Sequence, residues 1–186
     1  DGTPLDNRTS LILFSLVERG PSLNMRAGNV VCDARSRPYF ISIHLEDGGC
    51  DATLWRWREG WESVALGPLL APLMDVPPSF TSGMTATIDA AGDLYLGLCA
   101  AEKYGWGGPT SEVFVLRSTD LGDSFAVVQA SATDRTVSNW GPNFERPVGH
   151  NTLGLPMLLY THGASGAGCS PDDRTEVRLV IFEGGE

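Results

Sequence analysis

The sequence predicts an all-β protein in which short antiparallel strands are joined by tight turns. Of the 186 residues, 22 are Gly and 12 are Pro, and both residue types favour turns between short strands. The hydrophobic share of 42% and the charged share of 19% are typical of a folded globular chain with a substantial core. A strand pattern that recurs after about 55 residues is the third observation, and such a period indicates a repeat architecture.

The first complete repeat begins at residue 28. Residues 28–33 predict a first strand, and a polar turn leads into a second strand at residues 38–43. A loop separates these from a third strand at residues 52–57. Gly60 and the aromatic residue Trp61 then introduce an outer strand. The sequence therefore predicts four short antiparallel strands in this unit.

Two further copies follow the same order of elements. The intervals from Gly28 to Pro38 and from Gly83 to Asp93 are both ten residues, which aligns the first and second strands of two repeats. A third copy is predicted to start at residues 149–151. The remaining strands of the second and third copies are predicted at residues 93–98, 112–117, 122–128, 156–160 and 176–182.

Four short antiparallel strands per repeat are the pattern of a β-propeller blade. A β-sandwich is the alternative for short strands, but it does not account for the repeated offsets. Residues 1–186 are thus predicted to be one β-propeller portion, with a blade end at 10–18, blades at 28–70 and 83–130, and a partial blade at 149–182. This is about half a ring, so a longer parent chain, a second chain or a homo-oligomer must supply the remaining blades.

The charge distribution restricts the expected partners. The formal net charge is −10, the sequence pI is about 4.6 and no basic cluster occurs, so neither nucleic acid nor an anionic membrane is expected to bind. An anionic ligand must then be held by individual arginines. Apolar runs such as residues 9–17 are too short to span a bilayer, and no signal peptide remains at the first residue.

An even cysteine count and a glycosylation sequon favour a secreted glycoprotein. The sequon is Asn7-Arg8-Thr9, and the cysteine count is even. No Cys-x-x-Cys spacing occurs, so no metal site is predicted, and disulfides or buried free thiols are the alternatives. Asp172 and Asp173 are more typical of a solvated turn than of a calcium site, so no cofactor is expected. The cysteines are Cys32, Cys50, Cys99 and Cys169.

The segment from Trp140 to Asn151 concentrates polar side chains beside turn-forming residues, which is typical of a pocket wall. Arg146 is suited to binding a substrate carboxylate through paired hydrogen bonds. His150 is suited to proton transfer near neutral pH, and Tyr160 is the candidate second proton carrier. Asn151 is a candidate substrate contact. The structural alternatives are an ion pair or turn cap for Arg146, core packing for Tyr160 and a hydrogen-bonded corner position for the histidine.

Two more histidines and two aromatic residues complete the candidate substrate-binding set. His44 and His162 each stand six residues after the proline of their second strand, where the middle copy has Cys99. Both histidines are therefore predicted at the same blade corner. Tyr104 and Trp106 lie in a long loop between strands and are candidates for stacking on a sugar ring, with shielding of the blade from solvent as the alternative.

The segment at residues 118–125 has the spacing Ser-x-Asp-x-Gly-x-x-aromatic, formed by Ser118, Asp120, Gly122 and Phe125. The Ser and Asp side chains are expected to bond backbone groups of their own hairpin, Gly to supply a positive φ and Phe to anchor the turn. Their role is structural. The segment 118–125 resembles the Asp box, or bacterial neuraminidase repeat, of the sialidase-like β-propeller superfamily. At blade level the resemblance covers most of the chain, which is most similar to the propeller-fold polysaccharide lyases.

The resemblance implies an extracellular carbohydrate-active enzyme with an anionic glycan substrate. Propeller lyases neutralise a uronate carboxylate with an Arg and move protons with a His or Tyr, and Arg146, His150 and Tyr160 match that scheme. The leading expectation is a polysaccharide lyase that cleaves a uronate-containing glycan by β-elimination. A sialidase-like exo-glycoside hydrolase is the first alternative, although Arg37 and Arg146 belong to no complete arginine triad. A non-catalytic carbohydrate-binding or protein-docking propeller is the second.

Overall fold

The computed structural model describes residues 26–46, 49–101, 111–129, 131, 138–145, 154–163 and 175–183. In these ranges, β-strands form three antiparallel sheets, and a short helical segment follows the last strand of the first sheet. The prediction of an all-β fold with antiparallel sheets is confirmed.

The first sheet has the strand order β1-β3-β4-β5, with β2 also paired to β3. Its strands are β1 (Arg26–Ala27), β2 (Val31–Cys32), β3 (Pro38–Glu46), β4 (Gly49–Trp57) and β5 (Trp61–Ala65). Of the strand predicted at residues 28–33, only β2 forms, and a break at residues 28–30 separates it from β1, which ends before the predicted start. At the break, the side chain of Asn29 donates to the carbonyl of Ala86 at 2.8 Å and accepts from the Ala86 amide at 2.9 Å. This side chain therefore links the first sheet to the second.

A short helical segment leads from the first sheet to the second. It consists of α1 (Gly67–Leu70) and a 3₁₀ turn at Ala71–Leu73. Pro68 stands in the first turn of α1, where its fixed φ is suited to a helix and its missing N–H leaves no bond unmade. Leu66 and Leu70 are fully buried. So short a helix shows no helical periodicity, so the sequence pattern did not predict it.

The second sheet has four strands in the order β6-β7-β8-β9, as the repeat predicted. They are β6 (Ser79–Ile88), β7 (Leu94–Ala101), β8 (Glu112–Ser118) and β9 (Ala126–Gln129). β6 begins before Gly83, the predicted start, and its pairing with β7 shifts between Phe80 and Met84. Gly83 has a φ of +133°, which favours glycine, so this residue marks an irregularity inside β6 and not the strand's beginning.

The third sheet has the order β10-β11-β12. Its strands are β10 (Ser138–Phe144), β11 (Met157–Gly163) and β12 (Thr175–Ile181). The first strand of this sheet was predicted to start at residues 149–151. In the structure both edges of β11 are occupied, one by β10 and the other by β12, so the first strand is β10, which comes earlier in the chain. The Gly141-Pro142 pair is typical of a turn, but it lies inside β10, where the pairing is irregular between Trp140 and Asn143. Residues 146–153 lie outside the described ranges.

The sheets stack face to face in chain order. β6 packs against β3 and β4, and β10 packs against β6, β7 and β8. The first interface, between sheets one and two, contains an apolar cluster that includes Ile41, Leu54 and Leu96. The second interface, between sheets two and three, contains a smaller apolar cluster that includes Val115 and Leu158. Burial of these side chains is the main stabilising contribution to the stack.

The turn between β8 and β9 has the hydrogen bonds expected of residues 118–125. The hydroxyl of Ser118 accepts from the Gly122 amide at 2.6 Å and donates to Asp120 at 2.7 Å. Asp120 also accepts from the amide of Ser124 at 2.9 Å and from its hydroxyl at 2.6 Å. Gly122 has a φ of +92°, and Phe125 packs against the cluster of the first interface. The structural role predicted for the motif is confirmed.

Ion pairs hold this turn against the first sheet. Arg56, which is 8% exposed, lies 2.9 Å from Glu62 of its own sheet and 2.9 Å from Asp123 of the turn. Arg58 lies 2.6 Å from the other carboxylate oxygen of Asp123. The bond from Arg58 is the largest cause of a lowered pKa at Asp123. The 118–125 turn is therefore part of the contact between the first two sheets.

Candidate functional site

A group of polar side chains lies in the second interface, at the end of the second sheet opposite the 118–125 turn. Five of its members have exposed fractions of 8% or less, and the sixth, His162, is half-buried. Burial of polar groups costs free energy unless they are hydrogen-bonded, so the bonds within this group determine its properties. We call it the polar cluster; its members are Cys99, Ser111, Glu112, Ser131, Asn139 and His162.

Asn139, near the start of β10, occupies the centre of the polar cluster. Its backbone amide donates to the carbonyl of Ser111 at 2.8 Å. Its backbone carbonyl accepts from the hydroxyl of Ser111 at 3.0 Å and from the thiol of Cys99 at 3.5 Å. These three bonds fix Asn139 relative to the second sheet.

The side chain of Asn139 joins a carboxylate to an imidazole. Its Nδ2 donates to Oε2 of Glu112 at 3.0 Å, and its Oδ1 lies 2.9 Å from Nδ1 of His162. The same oxygen of Glu112 accepts from the hydroxyl of Ser131. A continuous chain of hydrogen bonds therefore runs from Glu112 through Asn139 to His162.

Tyr160 lies on the same face of β11 as His162, because residues two apart in a strand point to the same side. Their cross-strand partners on β12 are Arg178 and Glu176, respectively. Tyr160 is 4% exposed and is hydrogen-bonded to Arg178. The guanidinium of Arg178 lies 3.3 Å from the carboxylate of Glu176. Two groups capable of proton transfer and one cation thus occupy neighbouring positions on one face.

Arg178 is a permanent cation in this arrangement. Burial acts to lower its pKa, but hydrogen bonds with Tyr160 and Glu176 stabilise the charged form, and the pKa is raised overall. Its side chain is 38% exposed, so it remains open to solvent. A guanidinium in such a position is suited to pairing with a carboxylate through two parallel hydrogen bonds.

Of the residues predicted for the site, Tyr160 and His162 are brought together on β11. The amide of Glu145, which precedes the undescribed segment 146–153, donates to the carbonyl of Met157 at 3.0 Å. Met157 begins β11, whereas His162 is near its end, so Glu145 lies at the end of the sheet remote from His162. The predicted residues outside the described ranges are Tyr104, Trp106, Arg146, His150 and Asn151.

His44 lies on β3 and does not belong to the polar cluster. The equivalent hairpin turns of the first two sheets begin at Asp33 and Asp89, whose side chains each accept hydrogen bonds at 2.9 Å from the amides two and four residues later. Aligning these turns makes His44 equivalent to Ala100 and not to Cys99. Each corner position faces an acidic residue on the adjacent strand, and the pairs are His44 with Asp51, Ala100 with Glu112 and His162 with Glu176.

Three residues of the site, Glu112, Asn139 and Arg178, were not predicted. A signal existed for Arg178, because it is a charged residue within the apolar run of a predicted strand. Glu112 opens another predicted strand and could have been singled out in the same way. No such signal existed for Asn139, because the strand that carries it was not predicted.

The described cysteines are free thiols, and Cys99 is one of the two that are buried. Cys169 lies outside the described ranges, as do Asp172 and Asp173. Within those ranges, no three His, Cys, Asp or Glu residues are grouped so that they could bind a metal ion. In the same part of the chain, no helix is long and apolar enough to cross a membrane. The thiol of Cys99 contributes instead to the hydrogen bonds around Asn139 and Ser111.

Two clefts occur away from the polar cluster. One, of about 840 Å³, lies between the first hairpin turns of sheets one and two. The other, of about 610 Å³, is lined in part by Arg35, Arg37 and Arg58. Arg37 pairs with Asp33 and Arg58 with Asp123, both at 2.6 Å, so two of the three positive charges are already compensated. Neither cleft includes a residue of the polar cluster.

No family model and no curated protein matches the chain. Among solved structures, the chain is similar to the crystal structure of a protein of unknown function from Dyadobacter fermentans DSM 18053, with 13% sequence identity and a TM-score of 0.51. The match covers 84% of this chain and 41% of that chain, so this chain spans about two fifths of the length of its structural relative. At this level of identity the similarity concerns the fold alone.

Proposed function

We propose that the chain is part of a secreted β-propeller enzyme that cleaves a uronate-containing polysaccharide by β-elimination. Two features support the propeller: antiparallel sheets of three to five strands stacked in chain order, and the hydrogen-bonded turn at residues 118–125. Further blades would come from a longer parent chain, a second chain or another copy.

The observation that carries the proposed activity is the placement of Tyr160, His162 and Arg178 on one face of β11 and β12. β-Elimination beside a uronate requires a base, a proton donor for the departing oxygen and a cation that neutralises the carboxylate. These three side chains supply one group of each kind. Their mutual contacts and the bond from Asn139 to His162 hold them at adjacent positions.

In the proposed reaction, Nε2 of His162 removes the proton from C5 of the uronate. The C5–H electron pair forms the C4=C5 double bond, the C4–O bond breaks, and the departing oxygen receives the hydroxyl proton of Tyr160. Arg178 pairs with the substrate carboxylate, whose negative charge would otherwise oppose removal of the adjacent proton. Tyr160 then regains a proton from water, and His162 releases its proton to solvent.

Arg146 and His150 are the alternative cation and base. Both residues lie outside the described ranges, whereas His162 and Arg178 lie within them. The choice is therefore open to a direct test by substitution.

The test is a screen of the protein against acidic polysaccharides, with ultraviolet absorbance of the unsaturated uronate as the readout. We expect product formation by the wild-type protein and a loss of about 100-fold or more in kcat/KM for His162→Gln and Arg178→Lys. Thr161→Val is the matched control, because Thr161 lies between Tyr160 and His162 on the opposite face of β11.

Other outcomes would overturn parts of the proposal. If His150→Gln and Arg146→Lys abolished turnover and His162→Gln did not, the base and the cation would be His150 and Arg146. Release of reducing sugar or sialic acid without an unsaturated product would identify a hydrolase. Saccharide binding without turnover by the wild-type protein would identify a carbohydrate-binding propeller.

A further inference from the structure

We infer that Glu112 and Asn139 hold His162 in the tautomer that carries its proton on Nδ1, which makes Nε2 the proton-accepting atom. The catalytic consequence rests on the proposed function. The tautomer itself does not, because it follows from hydrogen bonds within the folded chain.

The orientation of the Asn139 amide follows from Glu112. The Glu112 oxygen that faces Asn139 already accepts from the Ser131 hydroxyl, whereas a side-chain amide has one donating end and one accepting end. With Nδ2 towards Glu112, a bond of 3.0 Å forms. In the reversed orientation, two acceptor oxygens would face each other at that separation. Nδ2 therefore faces Glu112, and Oδ1 faces the imidazole.

The tautomer of His162 follows in turn from Asn139. Neutral imidazole donates through one ring nitrogen and accepts through the other. Oδ1 of Asn139, 2.9 Å from Nδ1, accepts only, so Nδ1 must donate. The lone pair is then on Nε2, which makes no hydrogen bond to any residue in the described ranges.

The other residues of the polar cluster fix the donor and acceptor directions in the chain of bonds from Glu112 to His162. The hydroxyl of Ser131 donates to the oxygen of Glu112 that also binds Asn139, and Glu112 is 8% exposed. The backbone amide of Asn139 donates to the carbonyl of Ser111, and its backbone carbonyl accepts from the Ser111 hydroxyl. Glu112 acts on His162 through Asn139, so we class both as positioning residues.

The experiment is ¹⁵N NMR of the imidazole nitrogens in the full chain, at a pH where the ring is neutral. The signals of His162 are assigned by their disappearance in His162→Gln. We expect a protonated Nδ1 and an unprotonated Nε2 in the wild-type protein. In Glu112→Gln the new side-chain amide both donates and accepts, so the Nδ1–H population should fall, with a loss of about 10- to 100-fold in kcat and little change in KM.

Glu176→Gln is the matched control. This substitution also replaces a glutamate by glutamine, at the cross-strand partner of His162. Because Glu176 lies outside the chain of bonds from Glu112 to His162, the tautomer should stay unchanged. A wild-type Nε2–H tautomer would falsify the inference, and this measurement needs no variant to fold. Retention of Nδ1–H in Glu112→Gln to the same extent as in Glu176→Gln would also overturn it. The expected tautomer in a protein without lyase activity would uphold the inference and overturn the proposed function.

Discussion

The two interfaces between sheets bury different chemistry. The first is mainly apolar, and its ion pairs lie at the edge, where Arg56 and Arg58 meet Asp123. The second has a smaller apolar cluster and, beside it, the buried pair Glu112 and Asn139. Burial of polar groups costs free energy unless they are hydrogen-bonded, so the second interface depends on a specific set of hydrogen bonds. The first interface therefore serves stability, and the second is where the proposed function places its chemistry.

The largest expected effect on stability is at the first interface. Leu96 is fully buried in its apolar cluster, so Leu96→Ala should lower the free energy of unfolding by about 2–5 kcal/mol through lost burial and an unfilled cavity. Urea denaturation measures this loss. Turnover per folded molecule should remain at the wild-type level. A loss of turnover without a loss of stability would reverse the roles assigned to the two interfaces.

Much of the fold was predictable because it depends on local chemistry. The turn at residues 118–125 is formed by side chains that bond their own backbone, so eight residues determine its geometry. The strand pattern of the repeat likewise predicted most of β3, β7 and β8. The break at residues 28–30 was not predictable in this way, because Asn29 bonds Ala86 of another sheet.

The candidate site was predictable only in part, because it forms from strands distant in the sequence. His162 and Tyr160 were found from their position within the repeat. Their partner Asn139 lies on β10, a strand whose Gly141-Pro142 pair is typical of a turn, and its place in the sheet is fixed by tertiary contacts with Ser111. Local patterns carry no information about such contacts.

A pair of isosteric substitutions compares the second interface with the outer face of the third sheet. Val115 is fully buried in the second interface, whereas Val177 on the outer face is 73% exposed. Val115→Thr should cost about 1–3 kcal/mol, because a hydroxyl is introduced into an apolar environment. Val177→Thr should change the free energy of unfolding by no more than about 0.5 kcal/mol. Equilibrium unfolding in urea measures both.

Equal costs would show that something covers the outer face in solution. That face also carries exposed aliphatic side chains at Leu159 (46%), Leu179 (55%) and Ile181 (45%). A further sheet packed there would bury them as the second sheet buries its own apolar face. The difference between the two valine variants therefore tests whether another layer covers the outer face of the third sheet.

The smallest expected effect concerns the edge of the first interface. The hydroxyl and amide of Ser124, then the hydroxyl of Ser118, hold the pKa of Asp120 below its ordinary value of 3.8. A carboxylate with a lowered folded-state pKa stabilises the fold above the unfolded-state pKa, and this contribution is lost as pH falls through the folded-state value. Between about pH 5 and pH 2, Asp120→Asn should therefore lose less stability than the wild-type protein.

The measurement is the unfolding midpoint across that acid range, with Thr119→Ala as the control from an exposed position in the same turn. The control should keep the wild-type acid dependence. Identical acid dependence in Asp120→Asn and the wild type would mean that the turn's hydrogen bonds do not favour the ionised form. Because Asp120 is exposed, its effect should be small beside that of Leu96→Ala. Charged groups at the solvent edge of an interface adjust its stability, whereas apolar burial supplies most of it.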